Sequence, residues 1–202
     1  SSPSRGLGDV YKRQAMGGVM PVAADRAAIH LRTLNASKGP AVQASRAQCD
    51  RQLYRSAVRE ILEQQPNLLL FQQPVDDLIL DSGQVCGVRT QMGLELFADA
   101  VVITTGTFLA ATMHIGRTKA SGGRAGDQSS NTLAGFLRQC DGIEFGRLKT
   151  GTPPRIDRAS IDFAVCGPQP SEQPGPSFCI WSSAISRAPT QDCHITRTNP
   201  RT

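Results

Sequence analysis

The sequence predicts a mixed α/β architecture, and three observations carry that reading. Two stretches in the first third space their apolar residues as helices do. A series of short β-branched or apolar runs comes next, between residues 68 and 104, with turn signals among them. A glycine-rich loop with a central arginine, Ser121–Asp127, then interrupts the regular elements. At 202 residues the chain can hold one sizeable core, or one domain and part of another.

Residues 1–14 show no period and do not blend into the segment after them; they read as non-native or disordered. Met16 to about His30 has apolar residues at helical spacing. A polar loop, Leu34–Val42, carries Asn35, Ser37, Lys38 and Gly39, groups that present donors and positive charge to an anion. Ser45 is expected to cap a second helix, Arg46 to about Gln64, with Leu53, Ala57 and Ile61 on its apolar stripe and Pro66 ending it. Leu68–Gln72 is continuous and apolar, as a buried parallel strand would be. Val75–Leu80 ends at the turn signal Asp81-Ser82-Gly83, and Val85–Thr90 with Leu94–Ala98 predicts a hairpin across Gln91-Met92-Gly93. Ala100–Thr104 is a further β-branched run that stops at Thr105-Gly106. Asn131–Cys140 reads as a short helix and Ile143–Leu148 as a strand. From Gly167 onward Pro, Ser and Gln predominate, predicting an extended excursion with little core of its own.

The order helix, buried strand, antiparallel meander, strand ending in Thr-Gly fits one half of a flavoprotein dinucleotide-binding domain. There the final strand ends in glycine because backbone passes close to the dinucleotide. It also fits an unrelated α/β domain carrying a hairpin. No GxGxxG turn occurs, since Gly6-Leu7-Gly8 lacks the third glycine and a preceding strand. Both ends read as cut.

Charge is unevenly placed. Residues 1–60 hold ten Lys/Arg against four Asp/Glu, whereas the rest holds 12 against 13. A polyanion partner and an ordinary solvated helix face both account for this. The six cysteines show no paired ligand spacing, and three histidines are too few to suggest a zinc site; no metal is expected. Cys193-His194 would lie on opposite faces of a strand, so the pair is a poor nucleophile and base. No apolar run approaches the roughly 20 residues of a membrane span. The expected location is the cytoplasm.

Several long polar strings occur together and in order: Leu34–Val42 (LNASKGPAV), Arg46–Tyr54 (RAQCDRQLY), Phe71-Gln72-Gln73, Gly106-Thr107-Phe108-Leu109, His114-Ile115-Gly116, Ser121–Asp127 (SGGRAGD) and Gly146–Asp157 (GRLKTGTPPRID). On these the chain resembles the MnmG/GidA family from about Met16 onward. The family is the FAD-dependent large subunit of the tRNA uridine 5-carboxymethylaminomethyl modification enzyme. The resemblance implies a partial FAD-binding Rossmann-like domain of the glutathione-reductase kind over residues 15–148, with an antiparallel meander. It also implies the start of an inserted α+β domain over 149–202. The implied activity is addition of a carboxymethylaminomethyl-type group at C5 of the tRNA wobble uridine. The implied cofactors are FAD, with NADH as reductant; the implied partners are tRNA, an MnmE-type GTPase and a second copy in a homodimer.

Carried over residue by residue, Val75 (through its backbone) and Ser130 align with flavin-contacting positions, and Thr105, Gly106 and Thr107 lie where backbone approaches the dinucleotide. Simple capping is the alternative role for Thr107 and Ser130. Lys38, Arg46 and Arg124 are candidates for holding phosphate of FAD or tRNA. No catalytic residue is assigned, because the family's catalytic cysteines fall outside this chain. The chain is expected to be an internal fragment, inactive alone. A non-enzymatic RNA-binding module and a flavoprotein reductase outside RNA metabolism are the competing readings.

Overall fold

The computed structural model describes residues 18–151, 155–179 and 188–200. The expectation for residues 1–14 falls outside them. The chain divides into two compact units, residues 1–69 with 154–202 and residues 70–153.

In the first unit, helix α1 (Val19–Ala27) passes directly into strand β1 (Ala28–Leu34). β1 pairs antiparallel with β2 (Ala44–Cys49), and helix α2 (Arg51–Glu63) follows. Two expectations are corrected. The first helix stops at Ala27 rather than near His30, because the next residues pair with a second strand. Arg46 lies on β2 opposite Arg32, and Ser45 is a strand residue rather than a cap. The cap of α2 is Asp50, whose carboxylate accepts from the amides of Gln52 and Leu53 at 2.8 and 3.0 Å. α1 packs on α2 over small side chains: Ala23, Ala24, Ala27 and Ala57 are all buried. Polar bonds from residues 169–179 reach Asp25 of α1 and His30, Leu31 and Thr33 of β1.

The other edge of β1 would be open but for that late segment. Glu172 N–H donates to the Leu31 carbonyl (3.0 Å) and Gln191 N–H to that of Ile29 (2.7 Å). The Ser171 hydroxyl oxygen accepts from Leu31 N–H at 3.0 Å. Covering an edge in this way removes a template for unwanted pairing. In the same unit Gly167–Gln169 pairs antiparallel with Cys193–Ile195 as a small two-stranded ladder. From that ladder Cys193 Sγ donates to the Gln48 side chain (3.2 Å), while the His194 ring meets Phe163 edge to face.

In the second unit, β3 (Val75–Asp81), β4 (Gln84–Thr90) and β5 (Glu95–Phe97) form the antiparallel meander read from the sequence. The two-residue turn Ser82-Gly83 has φ of 49° and 84°, the left-handed pair that a type I′ hairpin requires. β6 (Thr112–Ile115) and β7 (Thr118–Ser121) make a second hairpin, and helix α3 (Asn131–Leu137) packs against β3.

Three expected strands do not form. Leu68–Gln72, Ala100–Thr104 and Ile143–Leu148 are irregular, and several of their apolar side chains face outward; Leu69 is 86% and Val102 83% exposed. A strand persists only where neighbours take up its N–H and C=O groups, and no described strand lies beside these runs. All strand ladders among the described residues are antiparallel, so the expected parallel sheet is absent from them.

Candidate functional site

The second unit gathers most of the residues singled out from the sequence. After the run at Ala100–Thr104, Thr105 starts a turn closed by Phe108 N–H donating to its carbonyl at 3.1 Å. Gly106 sits in that turn at φ 57°, a conformation that favours glycine. The glycine-rich loop lies directly against the turn. A Cβ on Gly123 would stand 2.6 Å from both the Thr107 carbonyl oxygen and the Phe108 ring, so only glycine permits the approach. The Thr107 hydroxyl reaches the Gly123 carbonyl at 3.4 Å. Beyond the loop, Ser130 N–H donates to the Phe108 carbonyl (2.9 Å), and Ala110 N–H donates to that of Ser130 (3.3 Å).

Ser129, which carries no signal in the sequence, fastens this corner. Its hydroxyl donates toward the Phe108 carbonyl (3.1 Å) and accepts from Ala111 N–H (2.6 Å). Ser130 is the N-cap residue of α3, yet its side chain makes no capping bond. Its hydroxyl has no bond among the described residues. The amides of Gly106 and Thr107 likewise have no acceptor among the described residues, and both residues are exposed. The turn thus carries two unengaged amides under a loop that passes at backbone distance. Val75 opens β3, opposite Thr90.

Of the three phosphate candidates, Arg124 is on this loop but already paired. Its Nε lies 2.6 Å from Asp127 Oδ2, an exposed contact that a stronger anion could displace. Lys38 and Arg46 belong to the first unit. Lys38 is exposed in the connection between β1 and β2, where Asn35 holds a left-handed φ of 56° and its amide donates to the Val42 carbonyl. Arg46 is half-buried; it donates to the Gln169 side chain at 3.4 Å, and its Nε has no partner. On α2, Arg59 pairs with Glu63, while Glu60 pairs with Arg26 of α1, so part of the basic face is neutralised from within.

The first unit also buries titratable groups that the sequence did not flag. Asp25 has no solvent exposure; it accepts from the Ser177 hydroxyl (2.9 Å) and from the amides of Phe178 (3.0 Å) and Cys179 (2.8 Å). His30 is 1% exposed, with Nε2 3.0 Å from the Gln169 carbonyl, which fixes the proton on Nε2 and leaves Nδ1 without a partner. Bonds from Thr33 N–H and then the Thr33 hydroxyl, with Arg32 and His30 nearby, outweigh partial burial and hold Glu172 below the usual carboxylate range. Burial, and then the Asp25 charge, push the Cys49 thiol up, which makes it a poor nucleophile. Among the described residues no three His, Cys, Asp or Glu side chains cluster to hold a metal ion, and no helix is long and apolar enough to cross a membrane.

Together these features define a mixed α/β protein with antiparallel sheets and a glycine-built corner whose polar donors face outward. The chain belongs to the MnmG/GidA family: the model of the family described as glucose inhibited division protein A matches residues 8–202. Among solved structures, Aquifex aeolicus GidA in its form I crystal superposes with a TM-score of 0.81 at 39% identity, covering 92% of this chain and 32% of that one. The form II crystal gives 0.84 at 39% identity, covering 95% and 33%. The chain thus spans about a third of the length of these relatives.

Proposed function

We propose that this chain contributes the flavin-facing corner of a cytoplasmic tRNA-modifying enzyme. That enzyme adds a carboxymethylaminomethyl-type group at C5 of the wobble uridine, together with an MnmE-type GTPase, as a homodimer. The observation that supports this most is the seat of the Ser121–Ser130 loop on the Thr105–Phe108 turn, with the Gly106 and Thr107 amides and the Ser130 hydroxyl unengaged. Family membership supports the substrate class. In this reading residues 15–148 are a partial FAD-binding domain of the Rossmann-like kind, and 149–202 begin an inserted domain.

FAD when bound would supply the redox chemistry on a one-carbon unit, with NADH as reductant. The chain's own task is to bind and orient. Amides at Gly106 and Thr107 donate to anionic oxygens; the Ser130 hydroxyl donates to a phosphate or ribose oxygen; Thr105 fixes the turn through its carbonyl; Val75 contributes backbone. Lys38, Arg46 and Arg124 would hold phosphate of cofactor or tRNA, Arg124 by exchanging Asp127 for it. No residue here is assigned a catalytic role, and the chain by itself should be inactive.

Purified protein should be colourless, yet added FAD should lose fluorescence saturably and weakly. The affinity should fall about tenfold in Ser130→Ala, the size of one lost bond to a charged group. Equal titrations for the wild-type chain and the variant, or no quenching at all, would refute the corner. Filter binding of tRNA at two salt concentrations, with and without FAD, tests the other half; tRNA retention indifferent to salt would exclude phosphate contacts by these cations.

A further inference from the structure

A cavity of about 290 Å³ in the second unit adjoins the proposed flavin corner through Ala110, whose N–H donates to the Ser130 carbonyl, but none of the residues assigned to flavin contact lines it. Leu109, Ala110, Arg138, Phe145, Gly146 and Arg147 line it. Three independent features converge there. Arg138 stacks its guanidinium over the Phe145 ring, 5.7 Å from the centroid, so the cation is held in place by a ring and keeps its N–H donors. Arg147 donates one N–H to the Ala110 carbonyl at 3.4 Å and has its remaining donors unengaged. Neither arginine forms an ion pair among the described residues. Ala110 itself stands at φ 45°, a left-handed conformation that alanine adopts only under constraint. That conformation sets the direction of the carbonyl to which Arg147 is tied. Strain of this kind concentrates where ligands are clamped.

Two unpaired guanidiniums around one concavity repel each other unless an anion lies between them. Guanidinium forks match the planar or tetrahedral oxygens of carboxylates and phosphates. Leu109 and Phe145 make the rest of the wall apolar, and the volume is near the lower end for small-molecule sites. We propose that Arg138 and Arg147 form a binding site for a small ligand that combines one carboxylate or phosphate group with a flat apolar body. The site does not depend on the flavin reading, since no residue assigned to flavin contact lines it.

Phenyl phosphate and benzoate, titrated into the 202-residue protein by calorimetry, probe the two anion types, with benzyl alcohol as the neutral control. At least one anion should bind saturably, and benzyl alcohol should not. Arg147→Gln and Arg138→Gln should each weaken binding about tenfold, the effect of losing one charge-assisted bond. Arg117→Gln, in the turn between β6 and β7, should leave it unchanged, and circular dichroism melts should confirm that the variants remain folded. If Arg147→Gln does not fold, Arg138→Gln carries the test alone. Benzyl alcohol binding as well as the anions, binding unchanged in a folded arginine variant, or no saturable binding by either anion would each overturn the proposal. Weak FAD binding lost in Ser130→Ala but retained in Arg147→Gln would show the two sites to be separate.

Discussion

In the first unit, Asp25, His30 and Glu172 bond to groups 139 to 154 residues away in sequence, and those bonds are buried or half-buried. In the second, the polar contacts of the glycine-rich loop span at most 22 residues, and several donors beside them point outward without partners. One region uses most of its polar groups to close on itself, with His30 Nδ1 and Arg46 Nε as exceptions. The other holds its backbone rigid with a few of them, notably Ser129, and leaves Gly106, Thr107, Ser130, Arg138 and Arg147 available. Polar groups that bond to one another fasten a scaffold, whereas ordered groups left without partners are the ones that the proposed ligands would use.

The contrast can be broken experimentally. The largest effect is expected for Asp25→Ala, which strands two buried amides and a hydroxyl; urea unfolding should show a loss of about 3–5 kcal/mol, confined to the first unit. A loss under about 1 kcal/mol would mean that the clamp is not structural. Next, Gly123→Ala should cost about 1–3 kcal/mol by lifting the loop from Thr107 and Phe108, and it should abolish FAD quenching.

Glu172 offers a pH test. Its carboxyl is depressed in the folded chain, so its stabilisation is complete above the unfolded value of about 4.3 and drains away as pH falls below that. The urea midpoint of the wild-type chain should drop as pH falls below that value, and Glu172→Gln should flatten the drop. Identical slopes would remove Glu172 from the account. The smallest effects separate two neighbouring serines: Ser129→Ala should cost about 1–2 kcal/mol by orphaning Ala111 N–H, whereas Ser130→Ala should leave the melting temperature within error and change only ligand binding.

Local features are legible in the sequence and distant ones are opaque. The β3–β4 turn declares itself through Ser82-Gly83, and the Gly106 turn and Ser121–Asp127 loop through their glycines, because positive φ leaves a residue-type signature. The β1–β2 hairpin reads as helix at both its ends. Its alanines favour helices, and pairing with a second strand overrides that propensity. The true cap, Asp50, is visible in principle: an acidic residue three positions before Leu53 is as good a start signal as Ser45. Apolar runs at Leu68–Gln72 and Ala100–Thr104 mark a tendency to burial but do not say what supplies it. The partners of Asp25 and His30 come from a proline- and serine-rich stretch with no periodicity, so no local pattern could announce them.

The first unit is discontinuous: its chain departs near residue 69 and returns near 154. During synthesis the Asp25 carboxylate emerges early and must wait for Phe178 and Cys179 to leave the ribosome before it finds its amides. The meander and glycine-rich loop, whose contacts are nearer in sequence, can be complete by then. The portion that starts first thus finishes last, and a truncation between residues 154 and 177 would release a chain with a finished second unit beside a permanently unclosed one.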